Sequence, residues 1–157
     1  MKGYPGWFPR LLFLTMAAVF LSGCLLIPSA LFFRLEWDLP WKLGGGPRNL
    51  VGAIHVAVGL FITALLGAVW SIHIRHNWKL GLNQRSGLSV VIVLILLGLT
   101  GIGSMYLGGE RTAPLNSVAH ILIGLAAPAL LTLHVIRGRR INSKPNGRGG
   151  RLAALMK

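Results

Sequence analysis

Apolar residues run through this chain in four long blocks, at residues 11–33, 50–74, 88–107 and 115–136, separated by short polar stretches. Each block meets the roughly 20 residues that a helix needs to cross the hydrocarbon of a bilayer. The pattern predicts an all-α integral membrane protein, a four-transmembrane-helix bundle. Residues 1–137 form its membrane domain and residues 138–157 a basic, flexible tail. Pro28 and Pro128 fall inside the first and fourth blocks, where each removes a backbone donor and is expected to kink its helix.

The two halves read as one helical hairpin written twice. A hydroxyl–glycine pair stands in the first helix of each half, Ser22-Gly23 and Thr100-Gly101. Each second helix then carries H-x-x-x-G, as His55 with Gly59 and His120 with Gly124. The connections suit a compact bundle. Residues 34–49 form a loop with two tryptophans fitted to the headgroup level. Ser86 is an expected N-cap for the third helix, and Pro114 suits the start of the fourth.

Composition agrees with the pattern: 54% of residues are hydrophobic and only 12% charged, against about 25% charged in soluble domains. The net charge of +13 invites a nucleic-acid reading, but its placement argues otherwise. Twelve of the 16 basic residues lie on one side of a four-span topology: Lys2, Arg10, Arg75, Lys79, Arg85 and the seven from Arg137 onward. The other side holds Arg34, Lys42, Arg48 and Arg111 with all three acids, Glu36, Asp38 and Glu110. The positive-inside rule places both termini in the cytoplasm, and attraction to anionic lipid accounts for the charge without nucleic acid. The lone Cys24 excludes an internal disulfide. Its setting, "LSGC", resembles a lipoprotein cleavage site, but the apolar run continues to Phe33, so the segment is read as an uncleaved first helix.

All five histidines lie in or beside the second and fourth helices. These two run in the same direction, so His55 and His120 share one membrane level and His73 and His134 the other. Eighteen residues from His55 to His73 make five turns at 3.6 per turn. Fourteen from His120 to His134 make four turns at the 3.5 of a left-handed bundle. His76 lies off this line and is read as solvated.

A polar group without a partner in an apolar medium costs about 2–7 kcal/mol, and ionisable residues within spans are usually functional. A single histidine is read equally well as a side chain bonded to a neighbouring helix. Four in facing pairs point to two bis-histidine haems, an outer one on His55 and His120 and an inner one on His73 and His134. Gly59 and Gly124 would then leave room for the macrocycle. Arg48 and Asn116 outside, with Asn77 and Arg137 inside, would meet the propionates. Zinc or copper is disfavoured, since no acid lies within a span and Cys24 is the only thiol.

The stretches "AIHVAVG" and "HIRHNW", with "AHILIG" and "LHVIRG", resemble small bacterial di-haem b-type cytochromes related to the cytochrome b subunit of formate dehydrogenase. The eighteen-residue spacing departs from the fourteen usual there and leaves the choice between His73 and His76 open. The resemblance implies an electron-transfer subunit in the bacterial inner membrane, carrying two haem b groups. It would pass electrons between the quinone pool and a periplasmic or cytoplasmic redox subunit, with a quinone beside one haem. The competing expectations are a cofactor-free membrane anchor or assembly subunit, and a proton-relay transporter. The latter lacks polar residues between its histidines beyond Thr63, Ser71 and Thr132.

Overall fold

The computed structural model describes residues 5–75, 78 and 83–143, with the side chains of Ile72, His73, Asn142 and Ser143 left outside that description. Four long helices account for nearly all of it: α1 (Trp7–Leu35), α2 (Gly45–Val69), α3 (Gln84–Tyr106) and α4 (Thr112–Ser143). All four are long and apolar enough to cross a membrane, and the chain is a multi-pass membrane protein. Each helix starts a few residues before its apolar block, because polar residues at the headgroup level continue the backbone hydrogen bonding that lipid makes obligatory. The fourth continues to Ser143 and so takes in the first residues of the segment expected to be a flexible tail. Residues 144–157 lie outside the described residues.

The closest pairings are α1 with α2 and α3 with α4, the two expected hairpins, and α1 also packs on α4. Small side chains fill the seams. Ser22, Ser29, Thr15, Ser117 and Ala113 are all buried, while large residues such as Leu14, Leu60, Leu99 and Leu115 are exposed. This is membrane packing: lipid solvates leucine as well as protein does, so close approach of small residues holds the helices. Pro28 and Pro128 both sit inside unbroken helical segments.

Local signals set the ends. Glu36 closes α1 in the left-handed region, φ 57°, with its N–H returned to the last turn. In the loop that follows, the Lys42 ammonium lies 3.2 Å over the Phe32 ring and Arg48 lies 4.3 Å over Phe33. Asn83, also left-handed at φ 50°, precedes α3. The N-cap expected of Ser86 is therefore not found. Ser86 lies within the first turn and donates to Asn83 Oδ1 at 2.6 Å.

α2 departs from regular geometry at its end. Trp70–Ile74 form a π-helical turn, which admits more residues per turn than an α-helix. The five-turn alignment of His55 with His73 assumed an uninterrupted α-helix, so that argument fails beyond Val69.

Asn116, expected to reach a propionate, instead ties α4 to α3 by donating to the Thr100 carbonyl and to Ser104 Oγ, both at 2.9 Å. Gly103 makes room for it: a Cβ there would lie 2.5 Å from Asn116 Oδ1. Gly103→Ala should therefore cost about 1–3 kcal/mol through overpacking, whereas Gly59→Ala, with nothing within 4 Å, should cost little. Thermal unfolding of the two variants in detergent checks this, and equal stability would refute it.

Candidate histidine site

Each histidine whose side chain is described leans on the partner helix of its own hairpin in one recurring way. In the first hairpin, His55 Nδ1 is 3.0 Å from Ser22 Oγ and 3.0 Å from the Val19 carbonyl. In the second, His120 Nδ1 is 2.9 Å from Thr100 Oγ1, and His120 also bonds the Leu97 backbone. Further along that hairpin, His134 Nδ1 is 3.1 Å from Ser86 Oγ. A glycine follows the hydroxyl in every case. A Cβ on Gly23, Gly101 or Gly87 would find the Cε1 of its histidine at 3.1, 3.5 or 3.6 Å respectively. The hydroxyl anchors the ring by one nitrogen, and the glycine lets its edge lie against the helix.

These cradles use all three Ser-Gly and Thr-Gly dipeptides of the chain, at 22–23, 86–87 and 100–101. Fourteen residues separate Ser86 from Thr100 on α3 and fourteen separate His120 from His134 on α4. The two cradles of that hairpin therefore stand four turns apart, about 21 Å at 1.5 Å per residue. Applied to the first hairpin, the same spacing leads from Ser22 to Phe8 and from His55 to Val69, both apolar and buried. The register equivalent of His134 is thus Val69. His73 lies in the π-helical turn beyond it, with its side chain outside the described residues, as are His76 and Asn77.

The hydrogen-bond pattern favours one tautomer. Ser22 gives its proton to the Ala18 carbonyl at 2.8 Å, and Thr100 gives its own to the Leu96 carbonyl at 2.7 Å. A hydroxyl has one proton, so toward the imidazole each oxygen acts as acceptor. Nδ1 must then be the protonated nitrogen, a role that the carbonyl of Val19 also demands at His55. In the neutral ring this leaves Nε2 as a bare acceptor, and among the described residues Nε2 of His55 and of His120 has no hydrogen-bond partner.

The same two rings approach each other across the bundle, with centroids 6.2 Å apart and planes at 85°. Two imidazoles sharing a direct hydrogen bond of about 2.9 Å would bring their centres to about 5 Å. The gap is thus too wide for that bond and narrow enough for one ligand to touch both.

The other expected site residues fall elsewhere. Gly59 has open space and Gly124 meets only Leu97 Cδ2, at 3.8 Å, so neither lies beneath a histidine. The physical reason is that the rings turn toward the partner helix of the hairpin instead of along their own. Arg48 is taken up by Phe33, Asn116 by α3, and Arg137 is exposed. Sequence reasoning named Ser22 and Thr100 only as parts of a repeat and Ser86 only as an N-cap, and gave Asn83 no role. The one-to-one count of hydroxyl–glycine dipeptides and cradled histidines was the signal that could have found the first three.

The chain is similar to a protein named Rhomboid protease GlpG homolog from Cronobacter sakazakii (strain ATCC BAA-894), 33% identical over 125 residues. The match takes in 67% of this chain and 44% of that protein, so the chain spans less than half the length of this relative. No family model and no solved structure matches it. The cytochrome resemblance is overturned by this finding, since the similar protein is a membrane protease. Among the described residues no three His, Cys, Asp or Glu side chains gather to hold a metal ion. The haem electron-transfer reading is accordingly withdrawn, and the alternative of a cofactor-free anchor gains no support either. The quinone and redox-subunit partners were implied by that resemblance alone.

The tautomer can be checked directly. In ¹⁵N-histidine spectra of the purified protein, His55 and His120 should each show a protonated Nδ1 and an unprotonated Nε2. The reverse assignment would undo the cradle argument.

Proposed function

We propose that this protein holds one electron-pair-accepting ligand between the Nε2 atoms of His55 and His120, within a bundle whose basic end faces the cytoplasm of a bacterial inner membrane. The observation that carries the reading is the pair of rings at 6.2 Å, each locked through Nδ1 onto its own hairpin. Two bare acceptors inside a membrane are costly unless something satisfies them. Orientation of a ligating imidazole through its other nitrogen is the common way a protein prepares such a ligand. The ligand's chemistry is an electron-pair acceptor, either a cation or a polarised N–H or O–H group. The distribution of basic residues supports the orientation in the membrane.

The likeness to a rhomboid protease favours a second reading, peptide hydrolysis in the membrane with Ser22 as nucleophile and His55 as base. The two are within hydrogen-bond reach, at 3.0 Å, as such a pair must be. The direction of that bond opposes it. A general base must accept the serine proton, whereas here Ser22 donates to Ala18 and receives from the ring.

Two measurements decide between them. Native mass spectrometry with elemental analysis of the full chain, purified from membranes, should find one bound species, either metal or organic. His55→Leu and His120→Leu should each lose it completely, because the two rings share it. Ser22→Ala should retain it with about 10–100-fold weaker affinity, the usual effect of removing an outer partner of a ligating histidine. Retention in His120→Leu would refute the shared site. Labelling of Ser22 by a fluorophosphonate, abolished in His55→Leu, would establish the hydrolase instead.

A further inference from the structure

At the basic end of the bundle, away from the His55–His120 pair, the four helices part around a cavity of about 510 Å³. This is within the range of about 300–1,000 Å³ typical of small-molecule sites. Its walls are hydrocarbon for most of their extent, including Met16, Ile62, Leu66, Leu94 and Leu131. Its polar groups are few, and they sit where the π-helical turn and the start of α3 close the end: Arg75, Asn83, Gln84 and His134. Two of these already donate within the protein. Asn83 Nδ2 gives to the His134 carbonyl and Gln84 Nε2 to the Trp78 carbonyl.

Arg75 is the charged member of the lining. Every acidic side chain of the chain, Glu36, Asp38 and Glu110, belongs to the loops at the opposite end of the bundle. No carboxylate side chain can therefore neutralise this guanidinium from within the fold. A long apolar cavity ending at a cation that lacks an internal counter-ion is complementary to a molecule with an apolar chain and an anionic head. The side chains explain why the space is there. The π-helical turn displaces the end of α2, and Gly87 and Gly138 contribute no bulk to the wall.

We infer that this cavity binds an anionic phospholipid of the adjoining leaflet, one acyl chain lying among Met16, Leu66 and Leu94 and the phosphate at Arg75. Native mass spectrometry of the full chain in detergent tests this, with dioleoyl phosphatidylglycerol and dioleoyl phosphatidylcholine offered together. The unaltered protein should retain the anionic lipid about five-fold over the zwitterionic one, the preference that one basic residue near an anionic surface confers. Arg75→Gln should abolish that preference, while Arg139→Gln, on the exposed face of α4, should keep it. Leu94→Trp should fill the cavity and remove both lipids. Leu66→Phe is the milder substitute, used if the first variant does not elute as a single species. Equal retention of the two lipids by the unaltered protein overturns the inference. So does a preference that survives Arg75→Gln, or lipid that survives both cavity-filling variants. Loss of the His55–His120 ligand leaves this result unmoved, so the two sites fail separately.

Discussion

The structure depends on one contact made three times, between an imidazole Nδ1 and a hydroxyl of the partner helix. Within a helix, serine and threonine ordinarily return their proton to a carbonyl one turn back. That habit, seen here at Ser22 with Ala18 and at Thr100 with Leu96, converts each hydroxyl into an acceptor on the helix face. At Ser86 the side chain of Asn83 takes the proton instead. A histidine from the facing helix can satisfy that acceptor only with Nδ1–H. The hairpins are thereby pinned, and the rings of His55 and His120 stand 6.2 Å apart across the bundle. Neither outcome needs a charge in the membrane, since a neutral ring can make this bond.

This constraint also says what the hydroxyls are not suited to do. A serine beside a histidine suggests a nucleophile, and the similarity to a membrane protease sharpens the suggestion. Nucleophilic activation requires the proton to travel from oxygen to nitrogen. At Ser22 and Thr100 the hydroxyl proton is directed at the backbone, which leaves the oxygen to accept from the ring. For Ser22 to attack a carbonyl, its bond to Ala18 must break, the ring must change tautomer, and the Val19 carbonyl would then face a lone pair. Similarity over less than half of a relative's length fixes no such chemistry residue by residue.

Much of the fold was legible because lipid imposes coarse rules. Four apolar blocks of sufficient length gave four helices, and the repeated H-x-x-x-G gave two hairpins of matching design. The geometry of the site was harder to read. Gly59 and Gly124 stand beside their histidines in sequence, yet the glycines that touch the rings, Gly23, Gly87 and Gly101, come from other helices. Only antiparallel register brings them together, and sequence spacing along a single helix does not report it. The inner histidine pair rested on a related assumption. Counting turns from His55 to His73 assumes an unbroken α-helix, and one π-helical turn changes the phase of everything after it.

The difference between the halves has a physical consequence. At the level of His55 and His120 the two hairpins match, hydroxyl for hydroxyl and ring for ring. Four turns away the second hairpin keeps its cradle at Ser86 and His134, while the first carries Phe8 and Val69. Val69, like His134, lines the cavity there. An end with imidazoles from both hairpins can grip a ligand symmetrically. An end with an imidazole from one hairpin and valine at the matching position of the other cannot, and a molecule polar at one end and apolar along its length suits it better. The same repeated frame thus differs in chemistry at its two levels, because the second hairpin has a polar pair at that level and the first has hydrocarbon in its place.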